Sequence, residues 1–347
     1  MATTLPTLTR TLDDVFTENW YEIRPEAQDN ILDAIVVWAA LREAGCFVTQ
    51  SGSDWITRTV RYGETNPTSV QKGDILPQGE PDLETMAMWS WRFEASHVQR
   101  NIFDDRANSG PTMIKPYIKK RFNAARDGFL QKFETNILRT EVTDESGRYL
   151  QGLNDIVPAY ANSRTGTYGR LARPSAYSEI AAANGVYAPT ASGTNPWWGP
   201  KYKQITLPTA VNLISDMKVL YNSIHNNQEP PNLIISDQAL YETYEEFAQD
   251  ISQVIKDENT RLADLGFQVL RFKGKTMIWS PNMTAGDMLF LNTDYIDVVY
   301  DPGMWFDATE WKPIALQGTR IMHILCAVTA ISDQLRRHGR LTSQTVS

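Results

Sequence analysis

Histidine and cysteine are scarce in this chain: four histidines and two cysteines occur among 347 residues. Cys46 and Cys326 alone supply neither a zinc cluster nor a disulfide framework, which fits a protein made in a reducing compartment. The histidines, His97, His225, His323 and His338, show no short spacing, and no His-Glu-x-x-His occurs. No metal, no cofactor and no catalytic residue is therefore expected. Long apolar runs are missing as well. The longest, Ala34 to Leu41, has eight residues, against roughly 20 for a membrane span. Met1 to Arg10 lacks the basic and apolar stretches of a signal peptide. A soluble protein of a cytoplasm, with no membrane partner, is expected. Excess positive charge is absent too: 33 Lys and Arg face 41 Asp and Glu, for a net charge of -8. That excludes a protein whose main task is to grip nucleic-acid phosphates. Neither Gly-x-Ser-x-Gly nor Gly-x-Gly-x-x-Gly is found. Gly274-Lys275-Thr276 resembles the end of a phosphate loop, but Val269 stands where that loop needs glycine, so the triplet reads as a hairpin turn.

Aromatic residues, by contrast, are abundant: 10 Trp, 14 Tyr and 12 Phe. With 42% hydrophobic residues the chain is of ordinary globular composition, and its length suits two or three folding units. Residues 1–24 are polar and Thr-rich but keep Phe16, Trp20 and Tyr21, and read as an extended arm. Residues 25–44 predict a helix buried on several sides, with Pro25 in its first turn and Gly45 after its end. Residues 54–62 predict a strand. After turn clusters from Gly63 to Pro81 comes a return strand, 84–96, with Ala87, Trp89, Trp91 and Phe93 on one face. A two-stranded hairpin is marginal alone, so this one needs a surface from its own chain or a neighbour.

The stripe Ile114, Ile118, Phe122, Ala125, Phe129, Phe133, Ile137 predicts a long helix over 111–139. Its other face carries Lys115, Lys119, Lys120, Arg121, Arg126, Lys132 and Arg139, against Asp127 and Glu134. Residues 140–204 predict short strands, Gly152 to Val157 among them, and a surface loop bearing Trp197 and Trp198. A helix over 209–224, a strand over 232–236, and a helix from Gln238 capped by Asp237 follow. Residues 229–264 hold nine acids, Glu245 and Glu246 among them, and two bases. Strands are expected at 266–272, 276–279, 287–291, 297–300 and 319–330, then a basic, polar tail from Asp333. Each histidine reads as a surface or strand position. Asp294, Asp297 and Asp301 lie near Tyr295, Trp305 and Trp311, a weak sugar-site pattern. The basic helix face and the acidic 229–264 patch can pair between copies, although one exposed pair contributes only about 0–1 kcal/mol.

The order of these parts resembles the major capsid proteins of tailed bacteriophages, the HK-type capsid fold, over roughly residues 12–340. Asp54 to His97 is similar to that family's extended loop, Pro111 to Arg139 to its spine helix, and Gly152-Leu153 to a glycine-containing strand start. Asn232-Leu233-Ile234-Ile235-Ser236 with its helix, 266–283, and Asp287 to Asn292 are similar to its axial domain. The resemblance implies an α+β chain divided as 1–51 (arm and first helix), 52–108 (extended loop), 109–204 with 311–347 (peripheral domain and spine helix) and 205–310 (axial domain). It implies a shell protein that assembles as hexamers and pentamers around double-stranded DNA without reading its sequence. A portal protein, a separate scaffolding protein and a decoration protein are the implied partners, and a virion capsid the implied location. Some members crosslink a Lys to an Asn of another subunit; Lys72, near the hairpin tip, is the donor candidate. Trp20, Trp55, Trp89, Trp91, Phe93, Lys119, Arg121, Arg126, Glu245 and Glu246 are the candidate inter-subunit contacts. The alternatives are an encapsulin-type compartment shell and, from a different class, a carbohydrate-binding or carbohydrate-active protein using Trp197, Trp198, Trp305 and Trp311.

Overall fold

The computed structural model describes residues 35–64, 67–74, 79, 82–101, 117–139, 149–159, 166–180, 185–191, 194–205, 210–225, 229–250, 270–315 and 317–343. The arm, with Trp20, lies outside them. Helix α1 (Val36–Glu43) buries Val36, Val37, Trp38, Ala40 and Leu41, so the expectation of burial on several sides holds. Ile35, just before it, is not helical; the expected start at Pro25 lies outside the described residues.

Strand β1 (Phe47–Thr49) is followed by β2 (Trp55–Arg61) and β3 (Glu84–Ser90), an antiparallel hairpin in which Ile56 faces Trp89 and Arg58 faces Ala87. The expected return strand does not run on unbroken. It stops at Trp91-Arg92, and the chain re-forms as β4 (Phe93–Asn101) on a different sheet. Helix α2 (Tyr117–Ile137) is the described part of the long helix and carries Phe129, Phe133 and Ile137 into the core. Gly152 to Val157, expected as a strand, is instead the helical turn α3 (Leu153–Ile156), where the Asp155 carboxylate accepts from the Gly152 amide at 2.8 Å.

Next come β5 (Thr167–Tyr168), β6 (Leu171–Ala172), β7 (Tyr177–Glu179), β8 (Val186–Pro189), β9 (Lys201–Gln204), helix α4 (Ala210–Ile224), β10 (Leu233–Ser236) and helix α5 (Gln238–Asp250). Asp237 caps α5 as expected, accepting from the Gln238 amide at 2.8 Å. The remaining strands are β11 (Leu270–Phe272), β12 (Lys275–Trp279), β13 (Asp287–Leu291), β14 (Ile296–Ala308), β15 (Lys312–Pro313), β16 (Thr319–Ser332) and β17 (Gly339–Thr342). Lys273 and Gly274, with φ of 50° and 75°, form the two-residue turn between β11 and β12. The triplet that resembles a phosphate loop is therefore a hairpin turn of the primed type.

Two large sheets organise the described residues. The first runs β11-β12-β10-β13-β17-β9-β8-β7. Its central strands are buried on both faces, which explains the unbroken apolar runs of β10 and β13. Ile234, Met288 and Phe290 meet the core under α4 and α5, while Leu233, Ile235, Leu289 and Leu291 meet the core shared with α1 and α2. The second sheet centres on β16, paired antiparallel with β14, β15 and β4; β1 lies parallel beyond β14. The boundaries expected at 204 and 310 cut across both sheets. Strands β7 to β9 and β17 join β10 to β13 in one, while β14 joins β16 in the other.

The basic tail expected from Asp333 also dissolves into structure. Strand β17 is interior, between β13 and β9. Its Arg340 is 1% exposed and forms a close ion pair with the fully buried Asp287. The same guanidinium donates to the Asn154 side chain at 3.1 Å and to the Val157 carbonyl at 3.0 Å, fastening α3 to the sheet. His338, too, is core and not surface. Its Nδ1 accepts from the Asn292 amide at 3.3 Å, so Nε2 carries the proton toward Ser332 Oγ at 2.9 Å. Burial pushes its pKa down to about 3, so the ring stays neutral.

Glu134 departs furthest from its expected place on the outer helix face. It is 1% exposed, and its two carboxylate oxygens accept the amides of Val37 and Trp38 at 3.1 and 2.9 Å. A carboxylate from α2 thus caps the N-terminus of α1, whose own cap position, Ile35, has no side-chain acceptor. Burial raises the Glu134 pKa to about 7. A folded pKa above the unfolded one means that stability present below about pH 4.5 is lost as pH rises through 7. Glu134→Gln cannot ionise, so its urea midpoint should lack that decline. The gap between variant and wild type should change by roughly 2–3 kcal/mol from pH 4.5 to pH 8; parallel pH profiles would refute the assignment.

Candidate assembly surface

The hairpin is held to its own body by one face and offers the other. Ile56, Val60, Ala87 and Trp89 point inward and are buried. Trp89 meets Tyr168 edge-on at 5.6 Å. Gly169 makes that approach feasible, since a Cβ there would fall 2.9 Å from the indole carbons, and its φ of 57° suits glycine. Arg58 pairs with Asp297 at 3.1 Å, Arg170 lies 3.8 Å over the Trp55 ring, and Tyr62 stacks on Trp197 at 4.9 Å. Beyond Gly63 this support ends: residues 67–74 are exposed throughout, Lys72 among them. Among the described residues, the large apolar side chains left in solvent are Val70, Met86, Phe93 and Tyr149. Three of these four lie on the hairpin or on the strand that continues it.

The aromatic candidates therefore divide. Trp89 leaves the set of surface contacts, because its side chain is spent on its own subunit's core. Trp55 and Trp91 are half-buried, the latter with its indole donating to the Ser53 carbonyl at 2.7 Å. Phe93 stands out at 58% exposed. Met86, at 55%, is an exposed apolar residue that aromatic content alone passed over; its outward place in the alternation of β3 is the signal that marks it.

Among the charged candidates, Arg126 and Glu246 are exposed and have no hydrogen bond or ion pair with any described residue, and Glu245 is half-buried. The side chains of Lys119 and Arg121 lie outside the described residues. Arg126 and Arg42 stand at the rim of a cleft of about 540 Å³ walled by Trp38, Phe47, Tyr300 and Trp305. The buried Phe133 stacks on two of these walls, Trp38 at 5.0 Å and Trp305 at 6.2 Å.

The sugar-platform arrangement does not form. Trp198 is fully buried, its indole donating to the Tyr168 carbonyl at 3.0 Å, which corrects its expected place in a surface loop. Asp297 is engaged by Arg58, and Asp301 accepts from the Gly303 amide, two residues on in β14. No cluster of three metal-ligating side chains occurs among the described residues, and no described helix is long and apolar enough to cross a membrane.

Solved structures share this fold. The capsid of cyanophage A-1(L) superposes with a TM-score of 0.60 at 15% identity, covering 92% of this chain and 96% of that one. The capsid of a native GTA particle gives 0.51 at 10% identity over 88% and 90%. Mycobacterium phage Adephagia gives 0.51 at 8% identity over 88% and 90%. This chain has the HK-type capsid fold. No family model and no curated protein matches its sequence; the likeness is carried by the fold. In the terms of that fold, β2 and β3 with their tip are the extended loop, and α2 is the spine helix.

Proposed function

We propose that this chain is the major capsid protein of a tailed double-stranded DNA bacteriophage, which self-assembles as hexamers and pentamers into an icosahedral shell. The observation that carries the reading is the extended loop. It is rooted in its own subunit by Trp89, Arg58 and Tyr62 but leaves Met86, Val70 and Phe93 uncovered, and a second copy is the natural cover for apolar groups repeated identically on every subunit. A capsid-fold likeness over nine-tenths of the chain supports it. The acidic balance supports it as well: a net charge of -8 encloses DNA without gripping it. Contacts made by Arg126, Glu245 and Glu246 are individually weak, but a closed shell repeats them many times. The partners are a portal protein, a separate scaffolding protein and a decoration protein; the place of action is the virion; no catalysis is assigned.

Electron microscopy of the expressed chain, alone and with co-expressed scaffolding and portal proteins, tests this. Hexamers, tubes or shells are the expected result, and a chain that stays monomeric under every condition would overturn it. Phe93→Glu sharpens the test. Phe93 is exposed, so thermal stability of the isolated subunit should stay within about 0.5 kcal/mol of wild type, while shell yield falls at least tenfold. Undiminished shells would remove Phe93 from the interface.

A further inference from the structure

Two of the four histidines, far apart in the chain, are brought together by the sheet around β16. His97 of β4 and His323 of β16 are directly opposed partners, and both are exposed. The hydrogen bonds along β16 reveal the kind of pair they form. The Thr309 amide donates to the His323 carbonyl at 2.8 Å, and the His323 amide donates to the Thr309 hydroxyl at 3.0 Å. Both backbone groups of His323 thus turn away from β4. Val328, of opposite parity, donates to the Arg92 carbonyl on the β4 side at 3.0 Å. His97 and His323 are therefore a non-hydrogen-bonded antiparallel pair, the closer of the two kinds, with Cα atoms about 4.5 Å and Cβ atoms about 4.5–5.5 Å apart. Helix α2 covers the opposite face of β4, where the Asn136 amide donates to Glu94 at 2.6 Å. The two imidazoles share the open face.

We propose that His97 and His323 form a two-imidazole site for a divalent transition-metal ion that favours nitrogen ligands, such as Zn²⁺, Ni²⁺ or Cu²⁺. Exposed side chains reorient within nanoseconds, so turning both rings onto one ion requires no movement of the backbone. No third protein ligand completes a cluster among the described residues; water fills the remaining positions, and the ion exchanges freely. The charged side chains facing the pair from neighbouring strands are Asp307, opposite Leu325, and Lys312, opposite Ile321, with the exposed Glu310 between them. The two acids favour a cation and the lysine opposes it. A bound ion clips β4, the strand that continues the extended loop, to the centre of its sheet. This site stands apart from the assembly reading and does not depend on it.

Isothermal titration of Zn²⁺ into the untagged full chain at pH 7.5 tests the proposal, with His97→Gln, His323→Gln and, as control, His225→Gln, which replaces an exposed histidine on α4's end. One ion per chain is expected. Each of the first two substitutions should weaken binding at least tenfold, and the control should leave it unchanged. Unaltered binding in either His97→Gln or His323→Gln, or an equal loss in His225→Gln, would overturn the site. All three side chains are exposed, and melting curves of each variant check that it stays folded.

Discussion

Arg340→Leu is expected to destabilise the subunit by about 3–5 kcal/mol, the cost of breaking a buried ion pair on one side only. The substitution leaves the Asp287 carboxylate, fully buried, without its cation. It also strips the Asn154 side chain and the Val157 carbonyl of their donor, so the turn that follows the spine helix loses its tie to the eight-stranded sheet. The urea midpoint at neutral pH reads the effect. The double variant Arg340→Leu with Asp287→Leu should recover much of the loss, because both charges go together. A single-variant loss below about 1 kcal/mol, as for an exposed pair, would show that water reaches the site.

Trp89→Ala should destabilise the isolated subunit by a comparable amount, about 3–5 kcal/mol, as truncation of a buried aromatic does. The indole is 1% exposed, faces Ile56 across the hairpin and packs on Tyr168 and Gly169. Its removal opens a void where the extended loop is rooted. The measurement is thermal unfolding of unassembled subunits, with Trp89→Phe as the milder companion. Unchanged unfolding with loss of assembly alone would return Trp89 to the role of an inter-subunit contact.

Much of the element order was legible because it rests on periodicity. The stripe from Phe129 to Ile137, the turn at Lys273-Gly274, the Asp237 cap and the apolar runs of β10 and β13 each announce themselves within a few residues. What was not legible depends on partners distant in the chain. Whether Trp89 faces its own core or a neighbour is decided by Tyr168 and Gly169, nearly eighty residues on. β17 offers only Leu341 as an apolar residue in four, so nothing local distinguishes it from a polar tail. Glu134 did carry a signal. It stands four residues after Leu130, three before Ile137 and four before Leu138, which places it on the apolar side of the helix; its charge alone put it outside. The surface contacts are the least legible part, since Met86 and Phe93 read like any core residue until the sheet alternation assigns them outward.

The interior position of β17 has a consequence in time. In the order in which the chain is made, β17 comes after every other strand of its sheet. Until residues 339–342 emerge, β13 and β9 each present an open edge, and the sheet exists only as two unjoined halves. Such edges invite pairing with other chains, and closure between distant segments is slow. The nascent subunit is thus held in a half-built state until its latest strand slots between the halves and brings Arg340 to Asp287. Shielding of those two strand edges matters most during that interval, before β17 closes the sheet.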